Sequence, residues 1–466
     1  MLWMQNSLSE VLQTHVIEDV DVLVAGGGAS GLVAGMAAAR LGARVLVVER
    51  QGVLGGAATT GMVAQWLGFF HGDVQAVRGI PGELTRVVVA AGGSPGFTRY
   101  LLAEASATPL PVVSFPFDPE IVKLVLDAEL IRTGANVLFH AGAVRPVVEM
   151  NVVRGLVLET ISGRSAVLAR VVIDATGDGT IAARAGAVTM GEEEGQRRSR
   201  QPGTLMFRLS GVDGSRFRAL SRTEKRRLAV AGVASGELTW ESLSFCSMPG
   251  EADAIGLMTR LSGFDFLDAA DASRAEIEGR RQILKAFEFL RREVAGFANC
   301  RIASIAARVG VRETRRIVGE MTLTEEDILA DRRFADSIAL GCGPMDLHDP
   351  HGVGVHLSMP PAPFEIPLAC MLPIGLDGLI VTGRAVSATR EANGAARHMA
   401  TAMALGQAAG TLAALACSAN ASPRGISSSR VRAALRAEGA LVSIEDTNDT
   451  SDEILPRSNS GSEQRL

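Results

Sequence analysis

The sequence has little cysteine and no paired cysteine motif. Its five cysteines, Cys246, Cys300, Cys342, Cys370 and Cys417, lie far apart, and no two form a C-x-x-C pair. This spacing excludes a zinc site of the usual kind, gives no support for an iron–sulfur cluster, and fits a reducing compartment. No basic stretch at the N-terminus leads into an apolar core as in a signal peptide, so we expect a cytoplasmic protein.

Positively charged residues are also fewer than negatively charged ones. The chain has 46 lysines and arginines against 51 acidic residues, a formal net charge of −5. This balance argues against a nucleic-acid partner, which would need a basic face. Lysine is scarce, so most of the fixed positive charge is guanidinium, which suits recognition of carboxylate or phosphate groups.

Long hydrophobic runs are nearly absent. The exception is Met399–Cys417, whose alanine, glycine, threonine and glutamine content favours a close-packed buried helix over a membrane span. With 47% hydrophobic residues in 466 positions, the chain can bury enough core for two intertwined domains.

A β-loop-α-β pattern opens the chain. Val20–Val24 is a short apolar run that stops at glycines, Ala29–Leu41 has helical composition, and Arg44–Val48 is a second apolar run. Two buried strands joined through a helix form a right-handed crossover, which places the strands in parallel. The pattern therefore predicts an α/β fold of the Rossmann type.

The following segment predicts a β-meander. Pro119–Thr133 has helical spacing and precedes a strand candidate at Asn136–His140. Three β-rich runs follow, Val144–Met150, Val152–Ile161 and Ala166–Ile173, separated by residues typical of hairpin turns.

The chain divides into parts by composition. Residues 15–188 and 366–420 are predicted to form the two parts of one cofactor domain, and residues 189–365 a mixed α+β substrate or cap domain with long amphipathic helices such as Ser273–Ala295. Residues 421–441 are expected to form a C-terminal helix. Residues 442–466, rich in Ser, Asp, Glu and Asn, are expected to be a disordered tail.

A glycine motif lies between the first strand and the first helix. Gly26–Gly31 matches G-x-G-x-x-G, in which Gly26 permits a tight turn, Gly28 lets the backbone approach a diphosphate, and Gly31 allows close packing of the helix on the strand. Glu49 ends the second strand, where a carboxylate can bind the ribose hydroxyls of an adenine dinucleotide.

Three further segments indicate FAD rather than NAD. Gly55–Gly61 supplies small residues along which a long cofactor can lie. Val171–Gly179 and Thr382–Arg384 are strands that end in glycine, and the apolar helix follows the second of them.

Together these segments resemble the FAD-dependent oxidoreductase family, which is related to the glutathione reductase and fumarate reductase flavoproteins. The resemblance runs from about Val20 to Ala416 and includes Pro116–Leu130, Ile173–Gly179, Thr204–Asp213, Gly310–Ile328, Met345–Gly352 and Gly383–Gly410. It implies a glutathione-reductase-like FAD-binding domain. It also implies that the N-terminus of the apolar helix faces the flavin pyrimidine ring, with the N–H groups of Gly394, Ala395 and Ala396 near the ring carbonyl.

The candidate cofactor contacts that follow from the motifs and the resemblance are Gly26, Gly28, Ala29, Ser30, Gly31, Glu49, Arg50, Gly55, Gly56, Ala58, Thr59, Val144, Ala175, Thr176, Gly177, Asp178, Gly383, Arg384, Gly394, Ala395 and Ala396.

The candidate catalytic residues are His348, Arg390, Glu391 and Arg397. Flanking acids could orient His348 as a general base, with a surface turn histidine as the alternative. Arg390 stands where the family usually has a histidine, and His398 where it usually has an apolar residue. Arg390 is a poor base but could anchor a substrate carboxylate.

Other charged residues carry weaker expectations. Arg312, Glu313, Arg315 and Arg316 are expected mainly to form structural ion pairs. His71 could approach the flavin as a covalent attachment site. No H-x-x-x-H frame exists, so no metal site is expected.

The sequence favours an oxidoreductase that transfers a hydride between a small polar or anionic organic substrate and flavin N5. No cysteine pair lies near Gly55–Gly61, which argues against a disulfide reductase, and no second G-x-G-x-x-G marks an NAD(P)H domain. Two alternatives stay open: a redox-passive FAD scaffold for a lyase or isomerase, and an electron-transfer flavoprotein subunit. A small-molecule substrate is the expected partner, and a homo-oligomer is compatible with the sequence.

Overall fold

The computed structural model describes residues 10–448 except 104–108, 194–196, 247–249, 251 and 353. In chain order, helices α1 to α11 are Ala29–Arg40, Ile80–Ala90, Pro119–Arg132, Thr180–Arg184, Gly214–Arg218, Arg222–Ala234, Ala269–Glu293, Glu325–Leu329, Arg390–Ala396, Met399–Ser418 and Ser428–Ala437. Strands β1 to β22 are His15–Ala25, Val45–Val48, Gln65–Leu67, Phe70–His71, Val74–Gln75, Thr98–Leu102, Leu110–Pro116, Asn136–Leu138, Gly142–Glu149, Val152–Thr160, Gly163–Asp174, Thr189–Met190, Phe207–Ser210, Phe245–Cys246, Asp253–Gly256, Arg301–Ile305, Arg316–Ile317, Ser337–Gly341, Met345–His348, Val355–Ser358, Phe364–Pro367 and Leu379–Val381.

The principal sheet combines a parallel part with an antiparallel meander. Its strand order is β8-β2-β1-β11-β10-β9, and β22 pairs with the end of β11. β8, β2, β1, β11 and β22 run parallel, whereas β9, β10 and β11 pair antiparallel. The long strand β11 belongs to both parts. The Rossmann-type α/β fold and the predicted meander are therefore confirmed.

Helices α1 and α10 approach each other through glycine. A Cβ atom on Gly406 would lie 2.1 Å from the Ser30 carbonyl oxygen, and one on Gly410 would lie 2.1 Å from the Ala34 carbonyl oxygen. No side chain larger than hydrogen fits at either position. By length and composition α10 could cross a membrane, but 89% of its 18-residue apolar window is buried inside the protein. The predicted close-packed helix is confirmed.

Residues 189–365, predicted to form a cap and called the cap below, contain a four-stranded antiparallel sheet, β14-β15-β13-β16, and the long helix α7. This helix begins at Ala269, earlier than predicted, because the Asp268 side chain accepts a hydrogen bond from the Asp271 N–H (2.8 Å) and so caps the helix. Gly279 of α7 lies against Leu205, which precedes β13, so the helix packs on the sheet.

The expected disordered tail does not begin at Val442. Residues Ile444–Asn448 form a 3₁₀ helix and Val442 is fully buried. Asp446 accepts hydrogen bonds from the Arg436 guanidinium (3.0 Å) and the Val442 N–H (2.9 Å). An acidic residue expected to face solvent therefore holds this segment against the rest of the protein. Residues 449–466 lie outside the described part of the chain. The division into domains stays a prediction.

Candidate active site

The two N-terminal glycine loops lie against each other. Gly28 forms a parallel bridge with Gly55, whose N–H donates to the Gly27 carbonyl (2.8 Å). A Cβ atom on Gly56, which has a φ of 55°, would lie 3.0 Å from the Gly28 Cα. Glycine is therefore needed for contact between the loops, and the contact brings the Gly55–Gly61 loop to the start of α1.

The space beside Gly28 fits a cofactor diphosphate. A Cβ atom on Gly28 would meet no protein atom within 4 Å, whereas one on Gly31 would lie 1.8 Å from the Gly26 carbonyl oxygen. Gly28 is also the N-cap of α1, and no side chain caps this helix. Free N–H groups, the positive end of a helix dipole and open space together form an anion cradle.

Glu49 is buried at the end of β2 and is held by the backbone. One carboxylate oxygen accepts from the Gly27 N–H (2.7 Å) and the other from the Gln51 N–H (2.8 Å). Each oxygen keeps a second lone pair for a ribose hydroxyl. Arg50 is exposed beside it, and the Val144 carbonyl accepts from Arg184 (2.7 Å).

The second and third strand ends meet at an ion pair. Asp178 lies 2.5 Å from the Arg384 guanidinium and accepts from the Thr314 hydroxyl (3.0 Å). Although burial opposes it, the Arg384 charge lowers the pKa of Asp178. A Cβ atom on Gly383 would lie 2.8 Å from the Ser30 hydroxyl oxygen, so this third segment also contacts α1.

The remaining candidate contacts lie in the glycine segments already described. Gly26, with a φ of 101°, packs on the carbonyl of Ala175, and Gly177 lies against Arg384. Four other predicted contacts lie in these loops or in the first turn of α1, namely Ala29, Ala58, Thr59 and Thr176.

A cavity of about 240 Å³ extends from the cofactor loop into the cap. At one end it is lined by Ala57, Gly61 and Arg384, and at the start of α10 by His398 and Met399. Its cap side is mainly apolar, with Met206, Trp240, Phe245 and Leu257, and Tyr100 and Leu102 of β6 add further apolar surface. Cofactor loop and cap thus enclose one shared space, the usual character of a small-molecule site.

The polar wall of the cavity centres on Asp346. Its carboxylate lies 2.8 Å from Arg397 and 3.2 Å from His348 Nε2. Although burial opposes it, the neighbouring His348, Arg397 and Arg312 hold the pKa of Asp346 well below its usual range. Arg397, predicted as a site residue, does line the cavity.

His348 is buried and both of its ring nitrogens are in use. Nδ1 lies 3.3 Å from Arg260, which can only donate, so Nδ1 accepts and Nε2–H donates to Asp346. Burial, together with the Arg312 charge, lowers the pKa of His348 to about 4. The ring is not a surface turn histidine. Nor can it take a substrate proton without losing the Arg260 contact, so the general-base role does not fit.

Arg390 and Glu391 lie outside the cavity lining. Arg390 is 37% exposed in its side chain and pairs with Glu313 (3.3 Å), in an open groove beside the cavity. Glu391 occupies the first turn of α9, where a carboxylate favours the helix dipole. The expectation that Arg390 faces the substrate is therefore not supported, because its side chain pairs with Glu313 and lines the neighbouring groove instead of the cavity.

The N–H groups of Gly394, Ala395 and Ala396, expected to face the flavin, are not free. Gly394, Ala395 and Ala396 lie in the second half of α9, where helical hydrogen bonds already use their N–H groups. The helix that begins at the cavity is α10, so its first N–H groups are those of Met399, Ala400 and Thr401.

Sequence reasoning missed or undervalued three cavity residues: Arg308, Arg312 and His398. Glu313 and Arg316 do form the expected ion pair (3.2 Å), but Arg312 does not join it. His398 was signalled by its departure from the family pattern. His71 binds the Pro360 carbonyl (2.8 Å) and is not part of the cavity lining.

His398 has a fixed ring orientation. Its Nε2 lies 2.8 Å from the Pro344 carbonyl, so Nε2 carries the hydrogen and Nδ1 is the acceptor; no described residue bonds Nδ1. Burial, helped by the Arg397 charge, lowers the pKa of His398 to about 4 despite the opposing effect of Asp346.

We expect Gly28→Val to separate folding from cofactor retention. The backbone at Gly28 is extended, with a φ of −67°, and a Cβ atom there would meet no protein atom within 4 Å, so thermal stability of the apoprotein should change little. The side chain would fill the anion cradle, so bound flavin should be lost. Gly31→Ala is the contrasting variant and should unfold the loop itself. A Gly28→Val protein with normal flavin content would contradict this assignment.

We also expect His398 to make folding acid-sensitive. Its pKa of about 4 in the folded chain lies below the ordinary 6.5, so unfolding takes up a proton and the free energy of unfolding falls as the pH drops from 6.5 towards 4. The loss is of the order of 3 kcal/mol. His398→Gln can still donate to Pro344 and does not titrate, so its urea-unfolding free energy should fall less over this range. If the unfolding free energies of wild type and variant fell in parallel with pH, the prediction would be refuted. The exposed His15→Gln is the control and should fall as the wild type does.

The chain matches the model of the family described as FAD dependent oxidoreductase over residues 21–435. It is 36% identical over 137 residues to aklavinone 12-hydroxylase DnrF of Streptomyces peucetius, a match that covers 26% of this chain and 28% of the hydroxylase. The structure also aligns with a geranylgeranyl bacteriochlorophyll reductase-like protein of Thermoplasma acidophilum (15% identity, 90% of this chain and 83% of the other, TM-score 0.47). A similar alignment is found with p-nitrophenol 4-monooxygenase PnpA of Pseudomonas putida DLL-E4 (11% identity, 90% and 84%, TM-score 0.47). The family match over residues 21–435 shows that the chain belongs to the FAD-dependent oxidoreductase family, with FAD as its cofactor.

Proposed function

We propose that this enzyme oxidises a small polar or anionic organic molecule bound in the cavity between the Gly55–Gly61 loop and the cap. The observation that carries the proposal is the continuity of this cavity: cofactor-loop residues Ala57 and Gly61 line the same space as Trp240 and Leu257 of the cap. A substrate held by the cap side would thus lie next to the cofactor.

The cofactor, when bound, would supply the hydride acceptor at flavin N5. The start of α10 supports this chemistry from the protein side. His398 is the N-cap residue, and the free N–H groups of Met399, Ala400 and Thr401 form the positive end of a twenty-residue helix. Such a fixed dipole would stabilise negative charge that develops at this wall of the cavity.

His398 is the group we propose for proton transfer. Its Nδ1 has no hydrogen-bond partner among the described residues, its ring lines the cavity, and its pKa of about 4 keeps it neutral at neutral pH. Nδ1 can therefore accept a proton from a substrate hydroxyl or amine as the hydride leaves.

His348 is proposed instead as a positioning residue. It links Arg260 to Asp346, and Asp346 holds Arg397 at the cavity. Loss of the ring would therefore loosen the Asp346–Arg397 pair rather than remove a proton acceptor.

The test is anaerobic reduction of the holoenzyme by a panel of small alcohols, amines and hydroxy acids, followed by the flavin's visible absorbance. A true substrate should bleach the flavin, whereas NADH and NADPH should do so slowly or not at all. His398→Gln should retain FAD, slow reduction by roughly 10²–10⁴-fold, and flatten its pH dependence.

Two results would overturn the proposal. Fast, saturable reduction by NADPH, with oxygen then built into the product, would indicate a hydroxylase like the relative from Streptomyces. Turnover of a substrate without any change in flavin oxidation state would indicate the redox-passive scaffold.

A further inference from the structure

We infer that Arg312 anchors a carboxylate of the ligand, and that the ligand is an acid with a flat apolar body, of the aromatic carboxylate class. The inference rests on the proposed function in using the same cavity, and it adds the anchoring residue and the substrate class.

Arg312 has no ionic partner among the described residues, although it lines the cavity. It donates through a single nitrogen, NH1, to the Pro202 carbonyl (2.7 Å) and the Thr204 hydroxyl (2.8 Å). Both acceptors are neutral. Two other cavity arginines differ, because Arg397 pairs with Asp346 and Arg384 pairs with Asp178. The fourth, Arg308, also has no ion pair among the described residues, but the acids that act on its charge are Asp178 and Glu49 of the cofactor loops.

The surroundings of Arg312 have a surplus of positive charge. Burial lowers the pKa of Arg312 to about 10; the charge of Asp346 opposes this shift, and the charges of Arg397 and Arg260 add to it. Arg260 also binds only neutral groups, His348 Nδ1 and the backbone carbonyls of Asp349 and Gly354.

The buried acid that faces these three guanidinium groups is Asp346, and Asp349 lies on the exposed side. A buried charge without a partner is costly, and an anion beside it removes that cost. The remaining donors of Arg312, Nε and NH2, are those that a carboxylate can bind.

The opposite walls favour a flat apolar body. Tyr100, Trp240 and Phe245 supply aromatic surface, and Met206, Leu257 and Leu357 supply aliphatic surface. The cofactor side takes part of the roughly 240 Å³ cavity. An apolar cavity of about 150 Å³ is enough for benzene. A single ring with one charged substituent is therefore the size of ligand that we infer for the cap side.

Backbone hydrogen bonds of the residues just before Arg312 hold it at this wall of the cavity. The Gly310 N–H donates to the Thr204 carbonyl (2.7 Å), and the Ala307 N–H donates to the Thr60 carbonyl in the cofactor loop (2.9 Å). The segment from 307 to 312 is thus tied at one point to the cap and at another to the cofactor loop. A ligand bound by Arg312 would lie at the junction of the two.

The experiment titrates the FAD-loaded enzyme with benzoate, followed by the flavin difference spectrum and by calorimetry. Benzamide matches its shape without the charge, and acetate and inorganic phosphate carry charge without the ring. We expect benzoate to bind at least 10-fold more tightly than any of the three. Benzamide as tight as benzoate, or phosphate tighter than benzoate, would overturn the inference.

Variants then locate the anchor. Arg312→Gln should weaken benzoate binding by roughly 10- to 100-fold, as expected for a lost charged hydrogen bond, and leave benzamide binding unchanged. Arg312→Lys should restore part of the affinity. The exposed Arg292→Gln and the groove residue Arg390→Gln should leave benzoate affinity unchanged. An unchanged affinity in Arg312→Gln, or its loss in Arg390→Gln, would assign the anion elsewhere.

Flavin content is measured for each variant, because Arg312 also binds Thr204. If Arg312→Gln loses FAD, two other experiments decide whether Arg312 binds the carboxylate: benzoate binding to Arg312→Lys, and the comparison of benzoate with benzamide on the wild-type enzyme. The proposed function fails separately: charge-dependent benzoate binding without flavin reduction by any oxidisable donor would contradict hydride transfer and leave the anchor standing. Flavin reduction that benzoate does not inhibit would contradict the anchor alone.

Discussion

The contact between the backbones of α1 and α10 is the constraint on which the site depends. Gly406 and Gly410 lie so close to the carbonyl oxygens of Ser30 and Ala34 that a methyl group at either position would overlap them. Side chains cannot adjust such a contact, so the two helices have one relative position. The start of α1, beside the open space at Gly28, and the start of α10, at the cavity, are therefore fixed in a single frame.

Arginine supplies nearly all of the charge chemistry in this frame, and its partners differ from place to place. Arg384 ties two strand ends through Asp178, and Arg316 ties the cap connection through Glu313. Around Asp346 the arginines outnumber the acids, and the guanidinium of Arg312 meets only neutral oxygens. A guanidinium group that lines the cavity and meets no carboxylate among the described residues is placed to receive an anion.

The sequence predicted the features that depend on local patterns. The crossover unit, the meander and the buried character of α10 all follow from periodicity, glycine positions and side-chain size, and they agree with the structure within a few residues. The role of Gly28 is local in the same sense, because it concerns the turn between one strand and one helix.

The site chemistry was less predictable because it depends on distant residues and on helix orientation. His348 is held by Arg260, 88 positions earlier in the chain, and no local pattern reveals that partner. Arg390 and Arg397 lie at the two ends of the short helix α9, yet only Arg397, its C-cap residue, lines the cavity. The prediction of disorder from Val442 onward failed for a related reason. The surrounding residues are polar, but Val442 itself is fully buried in the core.

The central claim is that four glycine-containing segments together hold one long dinucleotide, namely Gly26–Gly31, Gly55–Gly61, Val171–Gly179 and Thr382–Arg384. Identifying the bound flavin tests this claim most directly. The purified protein is denatured, and the released cofactor is identified by chromatography and mass and quantified against protein. The account predicts FAD, non-covalently bound and close to one molecule per chain. Release of FMN, or a protein that neither contains FAD nor binds it when added, would contradict it.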